Sequence, residues 1–558
     1  MADNIADRLS ALEPQIIELL STSGTERLSL GVIHQNKIVH TANYIHPLLH
    51  MNFMGPPDLP NEETVYPIGS LTMGLVAAVV GMLVDEGKLA WNIPIVTYVP
   101  EFRSHPSWRP QVTLTDLLAH RSGVPRGNFW LGVNNNILVR KDNSNAMIPS
   151  LLAVVRSSER FQYSDYGYEI VGQVIKKVTG QSWAQHLEAR VFQPLGLSRT
   201  GTSALHLIHD TNRSGAYIGL SDGIPWKVED VKLGHDTFMG AAGGVRSCIS
   251  DLLVLYKSFL NAMDPMFLNR NPSPTPFKQV KSLITARALM PNPSPREVSS
   301  ALGWCRTQLP GPMGATGMNF QLSLGRIPEI RSGFASHLAL HHLGSSTGPS
   351  SAVCLFPEMQ SGIIVLTNTF GLNDCADFVA QLLTETLFLV MNKHDFISLA
   401  KQATERHLAW YKKIGEAVER AREAGGPPRA LREYEGRYVN TTETLTIDVM
   451  EIDGKLHMMF ENLADETYEL FHYQKDTWTW VSSRDQLAEM GRWTTVEAGY
   501  HLLEFGPSVN GPGSVQGGQT NSGHAIERLI WRFHENVPYE GMLFVKREGS
   551  HGRISNSD

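Results

Sequence analysis

Cysteine is scarce in this chain. Four residues of 558 are cysteine, Cys248, Cys305, Cys354 and Cys375. Their spacing matches no metal-ligand set. Each sits among apolar or small neighbours, which predicts free, buried thiols in a reducing compartment. A strong excess of one charge is missing too. The net charge is -7, too mild at this length to call for nucleic acid or an anionic membrane as partner. No apolar run is long enough to span a bilayer, and Leu71 to Val84 falls short. The N-terminal stretch Met1 to Leu20 carries Asp3, Asp7, Glu13 and Glu18 between apolar residues at helical spacing, so it reads as a helix and not as a signal peptide. The 21 histidines are scattered without metal spacing, so neither a metal nor a cofactor is expected. The absences together predict a soluble, cytoplasmic protein.

What is present is core material. Hydrophobic residues make up 42% and charged residues 18%, a globular composition, and the length calls for two or three domains. Leu28 to His34 and Lys37 to His40 flank a polar turn and read as a hairpin. A Pro-rich loop with Pro56, Pro57 and Pro60 leads into a long apolar helix from Leu71, with Gly87 as its C′ residue. A capped short helix covers Val112 to Gly123. A second long helix starts near Tyr163 and stops at Thr179-Gly180. Residues 262–298 are rich in Pro and Asn and read as an irregular insertion holding one helix. Several strands follow, the clearest being Gly362 to Asn368, and the helix Asp374 to Leu389 closes the first domain. Gly425-Gly426-Pro427-Pro428 ends a charged helix. The expected division is 1–395, a helical linker over 396–428, and a β domain over 429–550 built of short antiparallel strands, with a flexible loop at 506–523.

Three stretches carry the chemistry. Ser70-Leu71-Thr72-Met73 opens the long apolar helix. Tyr163-Ser164-Asp165 opens the second. His342-Leu343-Gly344 lies in the strand-rich region. In this order and at about this separation they resemble the active-site motifs of the serine β-lactamase and penicillin-binding protein superfamily. The closest branch is that of class C β-lactamases, esterases and fungal acyltransferases, with motifs Ser-x-x-Lys, Tyr-x-Asn and Lys- or His-x-Gly. Leu117 to Gly123, Phe192 to Leu197, Ala242-Gly243-Gly244 and Pro357 to Asn368 also match. The resemblance covers roughly residues 10 to 390. It implies an α/β (α+β) β-lactamase/transpeptidase-like fold, with an antiparallel central sheet flanked by helices. The C-terminal strands resemble the lipocalin-like appendage of many such esterases.

The resemblance also implies roles. In the family a lysine one turn after the serine takes its proton, and a tyrosine passes a proton to the leaving group. The third motif lies on an edge strand, and its backbone N–H joins that of the serine in an oxyanion hole. Here Met73 stands in the lysine position and can neither give nor take a proton. Asp165 replaces the usual Asn and places a carboxyl beside Tyr163. Ser70, Tyr163 and His342 are therefore the expected catalytic residues. Met73, Asp165, Phe129, Trp130, Gly344 and His341 are expected to bind substrate. In a strand, His341 faces away from His342. Each has a plainer alternative: Ser70 as a helix N-cap, the histidines as satisfied sheet residues, Phe129 and Trp130 as a packed loop, and His235 and Asp236 as a polar loop instead of cavity lining.

A retained site without its lysine is expected to act on a largely apolar small molecule, of polyketide or terpenoid type, in secondary metabolism. Cyclisation, isomerisation, elimination or cycloaddition without an acyl-enzyme fits best. The alternatives are a serine esterase, thioesterase or acyltransferase with Tyr163 or His342 as base, and a non-catalytic binding protein.

Overall fold

The computed structural model describes residues 4–48, 59–104, 111–124, 126–151, 161–271, 273–291, 296–323, 327–331, 335–391, 393–494, 496, 498–508, 525–533 and 541–547. Pro56, Pro57, Pro272, Pro293, Pro295 and most of the 506–523 loop lie outside them.

The N-terminal stretch forms two helices, α1 (Ile5–Ser10) and α2 (Glu13–Ser23). The hairpin follows as β1 (Arg27–His34) and β2 (Lys37–Ile45). The long apolar helix is α3 (Thr72–Asp85), and every residue from Thr72 to Leu83 is buried. Its glycines make that burial possible: a Cβ at Gly74 would meet the Trp304 ring at 3.3 Å, and one at Gly81 would meet the Lys278 carbonyl oxygen at 2.8 Å. The short helix α4 (Leu114–Leu118) carries a capping box between Thr113 and Asp116. The amphipathic helix α5 (Tyr166–Thr179) ends on Gly180 at φ 74°, a left-handed position suited to glycine.

An eight-stranded antiparallel sheet forms the centre. Its later strands are β3 (Ala288–Leu289), β4 (Val298–Ser300), β5 (Cys305–Leu309), β6 (His337–Ser345), β7 (Ser350–Phe356) and β8 (Ser361–Thr367). They run in the order β2-β1-β8-β7-β6-β5-β4-β3. Alternate residues of β8 face opposite cores. Ile363 and Val365 pack toward α1, α2, α7 (Cys375–Leu387) and α8 (Phe396–Ala421), while Ile364 and Leu366 pack toward α3 and α6 (Ile249–Asn261). Such two-sided burial explains the unbroken apolar run. The Pro-rich stretch contains two short helices, Asp264–Phe267 and Val280–Ile284, instead of one. It also supplies β3 at the sheet edge, too short a strand to show alternation in sequence.

The C-terminal region is a closed barrel of eight antiparallel strands, a lipocalin-like domain running from Gly436 to Arg547. The charged helix α8 is docked on both bodies. Lys401 pairs with Glu18 at 2.8 Å, and past the helix end Glu423 N donates to the Tyr473 carbonyl at 2.8 Å. The barrel interior is filled. Arg492 lies within it, fully buried, and donates to Glu466 Oε2 at 2.7 Å and to the hydroxyls of Tyr468 and Tyr500 at 2.6 and 2.8 Å. The rings of Phe460, Tyr468, Trp480 and Tyr500 surround its guanidinium at 5.1 to 5.8 Å. All four cysteines are free and buried. Among the described residues no helix is long and apolar enough to cross a membrane.

A buried ion pair that loses one partner leaves an uncompensated charge. Arg492→Met is therefore expected to lower the barrel's unfolding free energy by about 3–5 kcal/mol, read from its urea transition. The double variant Arg492→Met/Glu466→Leu recovers part of that loss.

Candidate active site

Ser70 sits in a 3-10 turn, Gly69–Leu71, at the mouth of α3. It does not cap the helix: the N-cap position is Leu71, without a side-chain bond. Strand β6 crosses this mouth at closest approach. A Cβ at Gly344 would lie 2.3 Å from the Ile68 carbonyl oxygen and 3.0 Å from Ser70 N. One at Gly69, where φ is +52°, would lie 2.9 Å from Ser345 N. Glycine is thus required on both sides, and the crossing brings the amides of Ser70 and Ser345 close together. Ser351 Oγ fastens it by donating to the Ile68 carbonyl at 2.9 Å. β6 lies between β7 and β5 and is not an edge strand. Its pairing with β5 ends at His341, opposite Cys305, so its last residues, 342–345, have an open flank.

Met73 is fully buried one turn along α3. The Tyr163 hydroxyl donates to its Sδ at 3.4 Å and also bonds the Ser70 side chain. The Tyr163 ring stacks on His120, with centroids 4.3 Å apart and planes at 22°. His120 Nδ1 accepts from Ser164 N at 3.1 Å, which fixes the tyrosine motif against the α4 turn and places the His120 proton on Nε2. The Arg126 guanidinium lies 5.3 Å from the Tyr163 ring centroid.

The two histidines of β6 diverge, as strand alternation requires. His342 is on the Tyr163 side, its ring 6.3 Å away, and its Nδ1–H donates to the Leu343 carbonyl at 2.7 Å. It is 3% exposed and does not open onto the cavity. His341 lies on the opposite face, buried and bonded through Nε2 to Thr307 Oγ1 at 3.1 Å. It is no lining residue, because the whole thickness of the sheet separates it from Tyr163.

A cavity open at its mouth lies over Ser70. Tyr163, Asp165, Asn128, Trp130 and Leu131 line it together with Ser70. Met73 and Gly344 lie beneath this surface, the first under Tyr163 and the second against the Ser70 backbone. Phe129 turns away into the barrel, 4.4 Å from the ring centroid of Phe533, because its side chain fills the gap between the two domains. His235 bonds Thr202 Oγ1 at 3.3 Å, and neither it nor Asp236 lines the cavity. Sequence reasoning missed Arg126, Met239, Phe370, Asp374 and Trp493, all of which do. The lining is mixed, not largely apolar, since Arg126, Asp165 and Asp374 face it beside the aromatic and aliphatic groups.

Burial dominates the electrostatics. It lowers His342 to about 4 and, with the nearby charge of His342, lowers His120 to about 3. Burial and the Asp165 carboxyl hold the Tyr163 hydroxyl well above the ordinary phenol value. Burial also raises Asp165 itself, against the pull of Arg126. Asp374 and Asp377 are both raised by burial, Asp374 further by the neighbouring Asp377 charge. At neutral pH the core of the site, Ser70, Tyr163, His120 and His342, is therefore uncharged.

The family described as Beta-lactamase matches residues 13–388. The chain belongs to the β-lactamase family. Its members here include serine-hydrolase relatives. Esterase EstB of Burkholderia gladioli is 31% identical over 156 residues, 25% of this chain and 39% of that protein. Unguisins hydrolase ungD' of Aspergillus campestris (strain IBT 28561) is 26% identical over 273 residues, 45% of this chain and 48% of that protein. The chain thus spans less than half the length of these two curated relatives. A domain of unknown function (DUF3471) matches residues 420–506. The octameric penicillin-binding protein homologue from Pyrococcus abyssi shares the fold over 96% of this chain and 99% of its own, with TM-score 0.53 and 19% identity.

The depressed histidines of this β-lactamase-fold site make stability depend on pH. Below about 6.5 the unfolded chain binds a proton at each imidazole that the folded protein refuses until about 4 at His342. Their contribution is complete above 6.5 and is lost as pH falls toward the folded value. The raised carboxyls of Asp374 and Asp377 act in the opposite sense but are common to variants at His342. His342→Gln keeps a donor to Leu343. Its stability relative to wild type is expected to rise by about 1.4 kcal/mol per pH unit between pH 6 and 4.5, measured by denaturant titration. Parallel pH dependences would refute a neutral, buried His342.

Proposed function

We propose that this β-lactamase-fold enzyme transforms a carbonyl-bearing small molecule without forming an acyl-enzyme. The observation that carries the reading is the Tyr163 hydroxyl set 3.4 Å from Met73 Sδ, where a proton-accepting amine would be needed to activate Ser70. With its pKa raised by burial and Asp165, Tyr163 stays protonated and acts as a donor. The substrate carbonyl oxygen sits between the Ser70 and Ser345 amides, with the Tyr163 or Ser70 hydroxyl donating alongside. Such preorganised donors lower the barrier for charge developing on that oxygen, each by about 3 kcal/mol. The chemistry open to it is cyclisation, isomerisation, elimination or cycloaddition, with proximity in the cavity supplying the remainder. The aromatic and aliphatic lining accepts the apolar body of a metabolite of polyketide or terpenoid size, and Arg126 accepts a polar substituent.

A second reading, a serine esterase, thioesterase or acyltransferase, is favoured by the names of the relatives, an esterase and a hydrolase. It requires His342 Nε2 to serve as base through Tyr163, and a value lowered to about 4 makes it a weak one.

A fluorophosphonate probe with intact-mass readout separates the two. Wild type is expected to remain unlabelled, and Met73→Lys to become labelled at Ser70. Stable labelling of wild type that disappears in Ser70→Ala would overturn the non-covalent reading.

A further inference from the structure

The roof of the cavity is held from the barrel. The residues from Arg126 to Leu131 supply four of its lining groups, and this segment has its anchors in the C-terminal domain. Glu466 Oε1 accepts from Val133 N at 2.6 Å. A Cβ at Gly132 would lie 1.8 Å from that same oxygen, so only glycine lets the carboxylate reach the amide. Asn134 N donates to the Met490 carbonyl at 2.9 Å, and Asn136 Nδ2 donates to Asp465 Oδ2 at 2.9 Å. Phe129 packs against Phe533 and Trp531, with ring centroids 4.4 and 6.4 Å away. Glu466 is held rigid from behind by Arg492 and by the Tyr468 hydroxyl at 3.0 Å.

The barrel also reaches into the cavity directly. Trp493 follows Arg492 in the chain, so the buried ion pair fixes its backbone. Its ring packs on Phe370 with centroids 4.6 Å apart, and both rings line the cavity. A half-buried indole at a cavity wall offers a broad apolar face to a ligand ring.

We propose that the barrel is a working wall of the active site: Trp493 is a specificity-determining residue that receives the apolar ring of the substrate, and Glu466 is a positioning residue that sets the roof segment through the Val133 amide. The ligand class is a flat, apolar carbonyl compound. The inference rests on the cavity being the substrate site, as proposed above, but holds whether or not Ser70 is acylated.

The test uses the full chain labelled with 5-fluorotryptophan, its Trp130 and Trp493 resonances assigned with Trp130→Phe and Trp493→Phe. The probe is 2-acetonaphthone. Titration is expected to shift Trp493 in wild type. Val133→Pro removes the N–H that Glu466 accepts, puts the ring Cδ against that carboxylate and replaces the buried valine side chain, at the first position of a short 3-10 turn. It is expected to shift Trp130 in the free protein and to weaken probe binding roughly tenfold. Val133→Ala, which keeps the N–H, holds both at their wild-type values. Trp493→Ala weakens the probe without moving Trp130. The proposal falls if saturating probe leaves Trp493 unmoved. It falls equally if Val133→Ala matches Val133→Pro, since side-chain packing would then explain the effect. Fluorophosphonate labelling of Ser70 bears on the reaction class alone, so the two readings fail separately.

Discussion

The site depends on the crossing of β6 over the mouth of α3. Two glycines, Gly69 and Gly344, let backbone meet backbone where any Cβ would collide. The crossing aligns the Ser70 and Ser345 amides and seats Ser70 below the cavity. It also places His342 on the tyrosine side of the sheet and His341 on the other. Replacing either glycine would push the strand off the helix and separate the two amides. The glycines are therefore as much a part of the site's geometry as the serine.

Around that crossing the protein keeps charge out of the reacting centre. In the lysine-bearing motif that this stretch resembles, a neutral amine takes the serine proton. Here a thioether stands in the lysine position, and Tyr163 is contacted by a stacked neutral imidazole and by a guanidinium over its ring. A buried phenol beside a carboxyl holds its proton. In the reading proposed above, Tyr163 therefore donates to a substrate oxygen and does not abstract from Ser70. Ionisable groups line the cavity at Arg126, Asp165 and Asp374.

The two domains are joined at the same place. Glu466 is shared between the barrel's buried arginine and the backbone of the roof segment, and Trp493 lines the same cavity. The barrel's buried ion pair and the cavity's roof are thus linked through one carboxylate.

Much of this was legible in the chain itself. Periodicity and a left-handed glycine marked α5, and the unbroken run of Ile363 to Leu366 marked a strand buried on both faces. Ser70, Tyr163 and His342 stood out through the ordered resemblance of their three stretches to one family's active-site motifs. The sequence by itself determined the identities at the reacting centre, above all a methionine where the proton acceptor would be, since that is a matter of residue chemistry at a fixed helical spacing. Only the tertiary structure decided which groups surround it. His120 reaches Tyr163 across a left-handed turn, Phe129 leaves the cavity for the barrel, and Trp493 enters from more than a hundred residues beyond the last motif. No local spacing encodes such contacts, because they arise from the docking of separately formed elements whose surfaces meet only once the chain has folded.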